Sequence, residues 1–226
     1  MTRKALAALA MAACALAAQA DARPRAPAAN YANPGAVIGA EIAFAQMAQE
    51  KGQWTAFREN SSKDAVMFVP QRVNARDWLK GKADPPVAVK WQTHEVWTSC
   101  DGSYAVTRGA WQRPNGTGFF TTVWQRQPRQ GGYKWVLDLG DAVASPLAAP
   151  DMIPGHVAEC TNRPRKPAAD PKAPPPAIDP ASGLSDDGSL RWTADLDARG
   201  GGTFKLSQWN GSAYDDALVL KLSPQG

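Results

Sequence analysis

Histidine and cysteine are scarce in this chain of 226 residues, and charged residues make up only 20 % of it. Two histidines and three cysteines leave little material for a metal centre, and no cysteine–histidine pair has a useful spacing. Phosphate-binding loops, nucleophile elbows and clusters of basic residues among aromatic ones are also absent from the sequence. We therefore expect no metal, no cofactor and no nucleic-acid partner.

Long apolar runs are missing after the N-terminus, so no transmembrane segment is expected. The first 22 residues have a basic start, an apolar run to Ala18, and small residues at Ala20 and Ala22. This pattern predicts a secretory signal peptide that is cleaved near Ala20 or Ala22, and hence an exported protein, periplasmic or secreted. A lipoprotein acylated at Cys14 is the alternative, but the residues before Cys14 match a lipobox poorly.

Two cysteines, Cys100 and Cys160, remain after the predicted cleavage. An even number of cysteines in an exported chain favours a disulfide. The bridge would close a loop of about 60 residues and contribute about 4 kcal/mol to stability. Two unpaired thiols are the alternative.

Proline is concentrated in one segment, because ten of the nineteen prolines fall within residues 142–187. This composition is typical of an extended linker between folded parts. Before the linker, the pattern predicts a helix from Pro34 to Gly52, a short helix, a strand, a helical turn capped by Asn74, and then four antiparallel strands. We divide the chain into a signal peptide (1–22), a flexible leader (23–33), an α+β domain (34–141), a Pro-rich linker (142–187) and a three-stranded β-meander (188–224).

The C-terminal meander repeats features of the last strands of the α+β domain. "DGSYAV" stands beside "DGSLRW", "GTGFFTTVWQ" beside "GTFKLSQWN", and "YKWVLDL" beside "YDDALVLKL". A duplication explains the echo, and so does convergence, because DG turns, NG turns and tryptophan are common in antiparallel hairpins.

Three stretches carry a resemblance to a known family: "EIAFAQMAQEKGQWTAFRENSSKDAVMFVP", "AVTRGAW" and "YKWVLDLGD". Over about residues 36–141 the chain resembles the nuclear-transport-factor-2-like superfamily, in its SnoaL-like and uncharacterised branch. The resemblance implies a cone in which N-terminal helices pack in a curved antiparallel sheet (a cystatin-like fold), with a pocket for a small hydrophobic molecule at its open end. Such proteins often dimerise through the open face of the sheet, so a homodimer is one expectation.

The family resemblance also points to candidate catalytic residues, His94 and Asp138. Some relatives are isomerases, cyclases or dehydratases that use an Asp–His or Asp–Tyr pair. In the last strand of such proteins histidines are common where this chain has Leu137 and Leu139, which puts a histidine-based mechanism in doubt.

Strand alternation favours a structural role for both candidates. It places Asp138 opposite the apolar face of its strand, where an exposed acid would pair with Lys134 or Arg126. By the same argument His94 faces solvent. The side chains that we expect at the pocket are Phe44, Trp91, Glu95, Trp97, Arg108 and Trp124.

Three functional hypotheses follow from these observations. The first is an exported domain that binds a small ligand, or serves as an accessory domain, without catalysis. The second is a small-molecule isomerase, cyclase or lyase that uses the cone pocket. The third is a cell-envelope module whose meander contacts protein or glycan, which an exposed tryptophan patch on residues 188–222 would favour.

Overall fold

Three layers make up the fold in the computed structural model, which describes residues 31–69, 71–127, 132–164 and 181–224. Helices cover one face of a curved seven-stranded sheet, and a separate four-stranded sheet covers the other face. The predicted α+β class is therefore confirmed. The predicted signal peptide and most of the predicted leader lie outside the described residues.

The helices begin and end where the sequence predicts. Asn33 caps the first helix, since its Oδ1 accepts a hydrogen bond from Ala36 N at 3.0 Å, and Gly52 ends it at φ 106°. Asn74 caps the third helix by accepting from Asp77 N at 3.1 Å. The helices are α1 (Pro34–Lys51), α2 (Gln53–Asn60) and α3 (Ala75–Leu79).

The main sheet has the order β2-β1-β6-β5-β4-β3-β7. Its strands are β1 (Ser61–Phe68), β2 (Arg72–Asn74), β3 (Lys90–Thr98), β4 (Tyr104–Arg113), β5 (Gly116–Arg126), β6 (Tyr133–Val143) and β7 (Gly155–Val157). Strands β3 to β6 form the predicted antiparallel meander. The sheet as a whole is mixed rather than antiparallel, because β1 runs parallel to β6 and β7 runs parallel to β3.

The C-terminal sheet has four strands instead of the predicted three, in the order β11-β10-β9-β8. These are β8 (Ser182–Leu184), β9 (Leu190–Leu196), β10 (Gly202–Trp209) and β11 (Tyr214–Leu222). The added strand β8, like β7, lies in the segment predicted to be linker. Both are three-residue edge strands, which bond on one side only and so tolerate the proline-rich surroundings that suggested a linker.

The outer face of the main sheet packs against the C-terminal sheet. The two sheets share one hydrophobic core, to which the main sheet contributes Val106, Val123 and Leu137 and the C-terminal sheet contributes Trp192, Phe204, Leu206 and Leu220. This is the sheet face through which the resemblance implied a homodimer, and here it is occupied by the same chain. Dimerisation remains a prediction, and it would have to use another surface.

Two turns with the sequence Ser-x-Asp-Gly-Ser make the same set of internal hydrogen bonds. Asp101 Oδ1 accepts hydrogen bonds from Ser99 Oγ and from Ser103 N and Oγ. Asp187 Oδ1 accepts the corresponding three from residues 185 and 189. The hydroxyl groups of Tyr133 and Tyr214 donate to the carbonyls of the two turn glycines, residues 102 and 188. This correspondence extends beyond composition and favours a duplication over convergence.

The two turns also hold the two sheets together. Cys100 N donates to Ser189 Oγ at 2.8 Å, and Asp186 N donates to Ser103 Oγ at 2.8 Å. Beside them the predicted disulfide between Cys100 and Cys160 is present, with a Cα–Cα distance of 5.3 Å. The end of β3, the segment after β7 and the first turn of the C-terminal sheet therefore meet at one junction.

We predict that Phe204→Ala lowers the free energy of unfolding of the whole protein by about 3–5 kcal/mol, because it empties a buried position in the shared core. Urea unfolding followed by tryptophan fluorescence measures this change and should show one transition. The control Thr193→Ala, at an exposed position of β9, should stay within about 0.5 kcal/mol of wild type. Two separate transitions, with only one of them shifted, would contradict a shared core.

Candidate functional site

Two β-bulges decide which side chains face the helices. In β6, Trp135 pairs with Trp124 and Leu137 pairs with Val123, so Val136 is an extra residue. The side chains of Trp135 and Leu137 therefore lie on opposite faces of the sheet. Beyond the bulge the even-numbered residues of β6 face the helices, including Asp138.

The second bulge lies in β3, where Thr93 pairs with Gly109 and Glu95 pairs with Arg108. His94 is the extra residue. Trp91 consequently faces the helices, whereas Trp97 belongs to the core between the two sheets. The expectation that these two tryptophans share a face is wrong for this reason.

A cavity of about 500 Å³ lies between the helices and the open end of the sheet. Five of its described lining residues are aromatic, and its described polar groups are the side chains of three acids, one arginine, one glutamine and one threonine. The aromatic lining residues are Phe44, Phe57, Trp91, Trp111 and Phe120. A cavity of this size suits a small organic molecule.

Asp138 lies in this cavity, and the interpretation of it as an exposed acid is wrong. Its Oδ2 accepts a hydrogen bond from Thr122 Oγ1 at 2.8 Å. The cations proposed as its partners bond elsewhere: Lys134 Nζ donates to the carbonyl of Glu59, and Arg126 donates to the carbonyl of Asp101. The bulge at Val136 is the physical reason, because it inverts the alternation on which the interpretation rested.

A second acid in the cavity, Glu41, was missed by the sequence analysis. It is 1 % exposed and lies on the stripe of α1 that faces the sheet, together with Val37, Phe44 and Ala48. These four positions follow the i, i+4, i+7, i+11 spacing of one helix face. Glu41 is the one acid in this otherwise apolar stripe, and an acid at such a position indicates a buried polar site.

Three donors surround the carboxylate of Glu41. Its Oε1 accepts from Trp91 Nε1 at 2.8 Å, and its Oε2 accepts from Thr107 Oγ1 at 2.6 Å and from Trp124 Nε1 at 3.0 Å. Burial raises the pKa of Glu41, and these hydrogen bonds offset part of the rise. Both oxygens are thus satisfied within the protein.

The two acids influence each other's protonation. Burial raises the pKa of Asp138 to about 7; the hydrogen bond from Thr122 opposes this rise, and the charge of Glu41 adds to it. A carboxyl group that titrates near neutrality can accept or donate a proton under physiological conditions.

Three of the residues expected at the pocket contribute to this site. Phe44 and Trp91 line the cavity, and their rings meet edge to face with centroids 4.9 Å apart. Trp124 is fully buried and does not line the cavity, but its Nε1 donates a hydrogen bond to Glu41.

The remaining expected residues, Trp97, Glu95 and Arg108, do not line the cavity. Trp97 stacks on His156, whose Nε2 lies 2.8 Å from Glu95 Oε1. The guanidinium of Arg108 lies over the ring of Phe119, with its carbon 5.6 Å from the ring centroid.

His94 and Asp138 are not brought together. His94 lines a different hollow, of about 310 Å³, on the outer side of the sheet. Burial and then the positive charge of Arg108 lower the pKa of His94. An Asp–His pair is therefore not formed, and Leu137 and Leu139 also have their side chains in the core between the sheets.

The mouth of the cavity includes the end of the described chain. Pro224 lines the cavity, and Ser223 N donates to Asp141 Oδ2 at 2.9 Å. Arg113, which also lines the cavity, is exposed and lies over the ring of Trp111, 5.3 Å from its centroid. The C-terminal sheet thus supports the cavity's rim as well as the outer face of the main sheet.

Some of the solved structures similar to this chain are described as NTF-2-like or cystatin-like. An NTF-2-like protein of unknown function from Shewanella oneidensis is 14 % identical; the match covers 46 % of this chain and 94 % of that one, with a TM-score of 0.37. A cystatin-like fold protein from Burkholderia xenovorans is 15 % identical, with 49 % and 92 % covered and a TM-score of 0.39. The beta subunit of benzoate 1,2-dioxygenase from Burkholderia mallei is 16 % identical, with 47 % and 88 % covered and a TM-score of 0.35.

No protein-family model matches the chain, and no curated protein matches it either. At the identities and TM-scores above, the similar structures carry no argument about function. Within the described ranges no helix has the length and hydropathy needed to cross a membrane.

We predict that Asp138→Asn changes how stability depends on pH. The folded-state pKa of Asp138 lies above the usual aspartate pKa of 3.8, so the native state binds the proton more tightly than the unfolded state does. The contribution of Asp138 to stability is therefore complete below about pH 4 and is lost as the pH rises through about 7. Relative to wild type, the variant should become about 2–3 kcal/mol more stable between pH 5 and pH 8.

Urea unfolding at several pH values measures this gain. The matched control is Asp195→Asn, at an exposed position of β9, for which the difference from wild type should not change with pH. A constant difference for Asp138→Asn as well would show that Asp138 titrates like an ordinary surface acid.

Proposed function

We propose that this protein binds a small, mostly hydrophobic organic molecule in the cone cavity, with Asp138 as the polar contact. The observation that carries the proposal is a cavity of about 500 Å³ that is lined by five aromatic side chains and by the carboxyl group of Asp138. Hydrophobic walls supply the affinity in such sites, and a few polar groups fix the orientation of the ligand. The accessory role without catalysis belongs to the same proposal.

The proposal predicts that a neutral aromatic fluorophore enters the cavity. Prodan should bind the wild-type protein saturably, with one site per chain. Ala142→Trp places a large side chain at an exposed lining position near the mouth, and it should weaken binding by about fivefold or more. Fluorescence titration measures both affinities.

The control for this experiment is Ala144→Trp. Ala144 is also exposed and lies two residues further along the chain, but it does not line the cavity. Its variant should bind Prodan like wild type. Equal affinities for wild type and Ala142→Trp would place the probe elsewhere and reject the cavity as the binding site.

A proton-transfer enzyme of isomerase, cyclase or lyase type is the second candidate, favoured by the pKa of about 7 for Asp138. Asp138 would act as the general base, with Glu41 keeping the site electronegative. A direct test is deuterium exchange into 2-tetralone, a weak carbon acid. Exchange that wild type accelerates and Asp138→Asn does not would favour the enzyme, whereas no acceleration by wild type favours binding alone.

The third hypothesis, an envelope interaction module, has less support. Trp192 is 3 % exposed because it packs in the core between the sheets. Within the described residues 188–222, the large hydrophobic side chain with the greatest exposure is Val219, at 51 %. Trp209 is half-buried, and neither tryptophan is among the exposed large hydrophobic side chains of this segment, so the feature that would favour this hypothesis lacks support.

Export is also part of the proposal. The N-terminal sequence has the pattern of a signal peptide, and the Cys100–Cys160 disulfide is consistent with an oxidising compartment. Cell fractionation followed by N-terminal sequencing should give a chain that starts at Asp21 or Arg23. A full-length chain in the cytoplasm would contradict export.

A further inference from the structure

We propose that the molecule bound in the cone cavity carries a positively charged nitrogen, such as a protonated amine, on an aromatic or aliphatic body. This inference rests on the proposed binding function and names the class of ligand. Three features of the cavity support it: the charges of its lining residues, an oxygen of Asp138 that is free to accept a hydrogen bond, and its aromatic residues.

The charge of the cavity wall is negative. Glu41, Asp138 and Asp141 line it, and the cationic side chain among its described lining residues is Arg113. Arg113 is exposed at the mouth and lies over Trp111. None of the ion pairs found among the described residues involves Glu41 or Asp138. An entering cation would therefore meet acids that the protein itself leaves unneutralised.

One carboxylate oxygen in this wall is open to a ligand. Asp138 Oδ2 accepts the hydrogen bond from Thr122, but Oδ1 receives none from the described residues. Glu41 differs, because three donors occupy its two oxygens. Asp138 is half-buried and lines the cavity, and its Oδ1 is not among the buried side-chain atoms that lack a hydrogen-bond partner in the described residues. A ligand N–H⁺ group is the donor that gains most from such an oxygen.

The aromatic walls suit the same ligand. Trp91, Trp111 and Phe120 come from three adjacent strands and lie around the acids, while Phe44 and Phe57 close the helical side. The faces of aromatic rings attract cations, and tryptophan attracts them most. A carboxylate ligand would be repelled by Glu41 and Asp138, and a neutral ligand would leave their charge uncompensated.

Three probes with the same body test the inference: 2-(1-naphthyl)ethylamine, 2-(1-naphthyl)ethanol and 3-(1-naphthyl)propanoate. Isothermal titration calorimetry at pH 8 measures their affinities for wild type. The amine should bind about tenfold or more tighter than the alcohol, as a hydrogen bond to a charged group implies, and the carboxylate should bind weakest. In Asp138→Asn the ratio of amine to alcohol affinity should fall to about one, and in Asp195→Asn it should not change.

Protonation gives the experiment a second readout. As the pH falls from 8 to 6, Asp138 takes up a proton, and the advantage of the amine over the alcohol should shrink. The amine itself stays charged, because its pKa is roughly 10, like that of lysine. The other titratable groups around the cavity are Glu41 from α1, Arg113 from β4 and Asp141 from β6.

The outcomes separate this inference from the proposed function. If the amine and the alcohol bind wild type equally and Ala142→Trp weakens both, the cavity binds ligands but the amine assignment is wrong. An amine preference that Asp138→Asn leaves unchanged also overturns the assignment. If none of the three probes binds, the amine assignment fails, and the Prodan titration decides separately whether the cavity binds ligands. Should Asp138→Asn not fold, the comparison of the three probes on wild type still decides.

Discussion

The bulge at Val136 is the constraint on which the rest of the structure depends. One extra residue in β6 inverts the alternation of that strand, so that Asp138 faces the helices while Leu137 and Leu139 face the C-terminal sheet. Without the bulge, the side chain of Leu137 would face the helices and the carboxyl group of Asp138 would face the hydrophobic core between the sheets. The site and the docking of the second sheet therefore follow from the same local feature.

The C-terminal sheet replaces a partner that the fold would otherwise need. A main sheet with apolar residues on both faces has to cover both, and helices cover only one. Here a second meander, with turns bonded like those of the first, covers the other face and is fixed by the junction at Cys100 and Ser189. The same sheet reaches the cavity's mouth through Ser223 and Pro224. Stability and the shape of the site are thereby linked.

Local sequence signals predicted much of this fold, whereas features that depend on contacts between residues distant in sequence were not predicted. Asn33, Gly52 and Asn74 mark helix ends by side-chain and backbone chemistry that needs no tertiary context. A bulge leaves no comparable mark, because it depends on how two strands align, so the faces of Trp97 and Asp138 were assigned wrongly. Glu41 was readable in principle as an acid within a buried helical stripe, but its three donors come from strands distant in sequence.

The central claim is that Asp138 lies inside the cone beside Glu41, in surroundings that disfavour its charge. The most direct measurement is a titration of the Asp138 side-chain carboxyl by ¹³C NMR, with Asp138→Asn used to assign the signal. The account predicts a midpoint near neutrality, in line with a pKa of about 7. A midpoint near the usual aspartate pKa of 3.8 would contradict it, because an acid with that pKa would be solvated or paired.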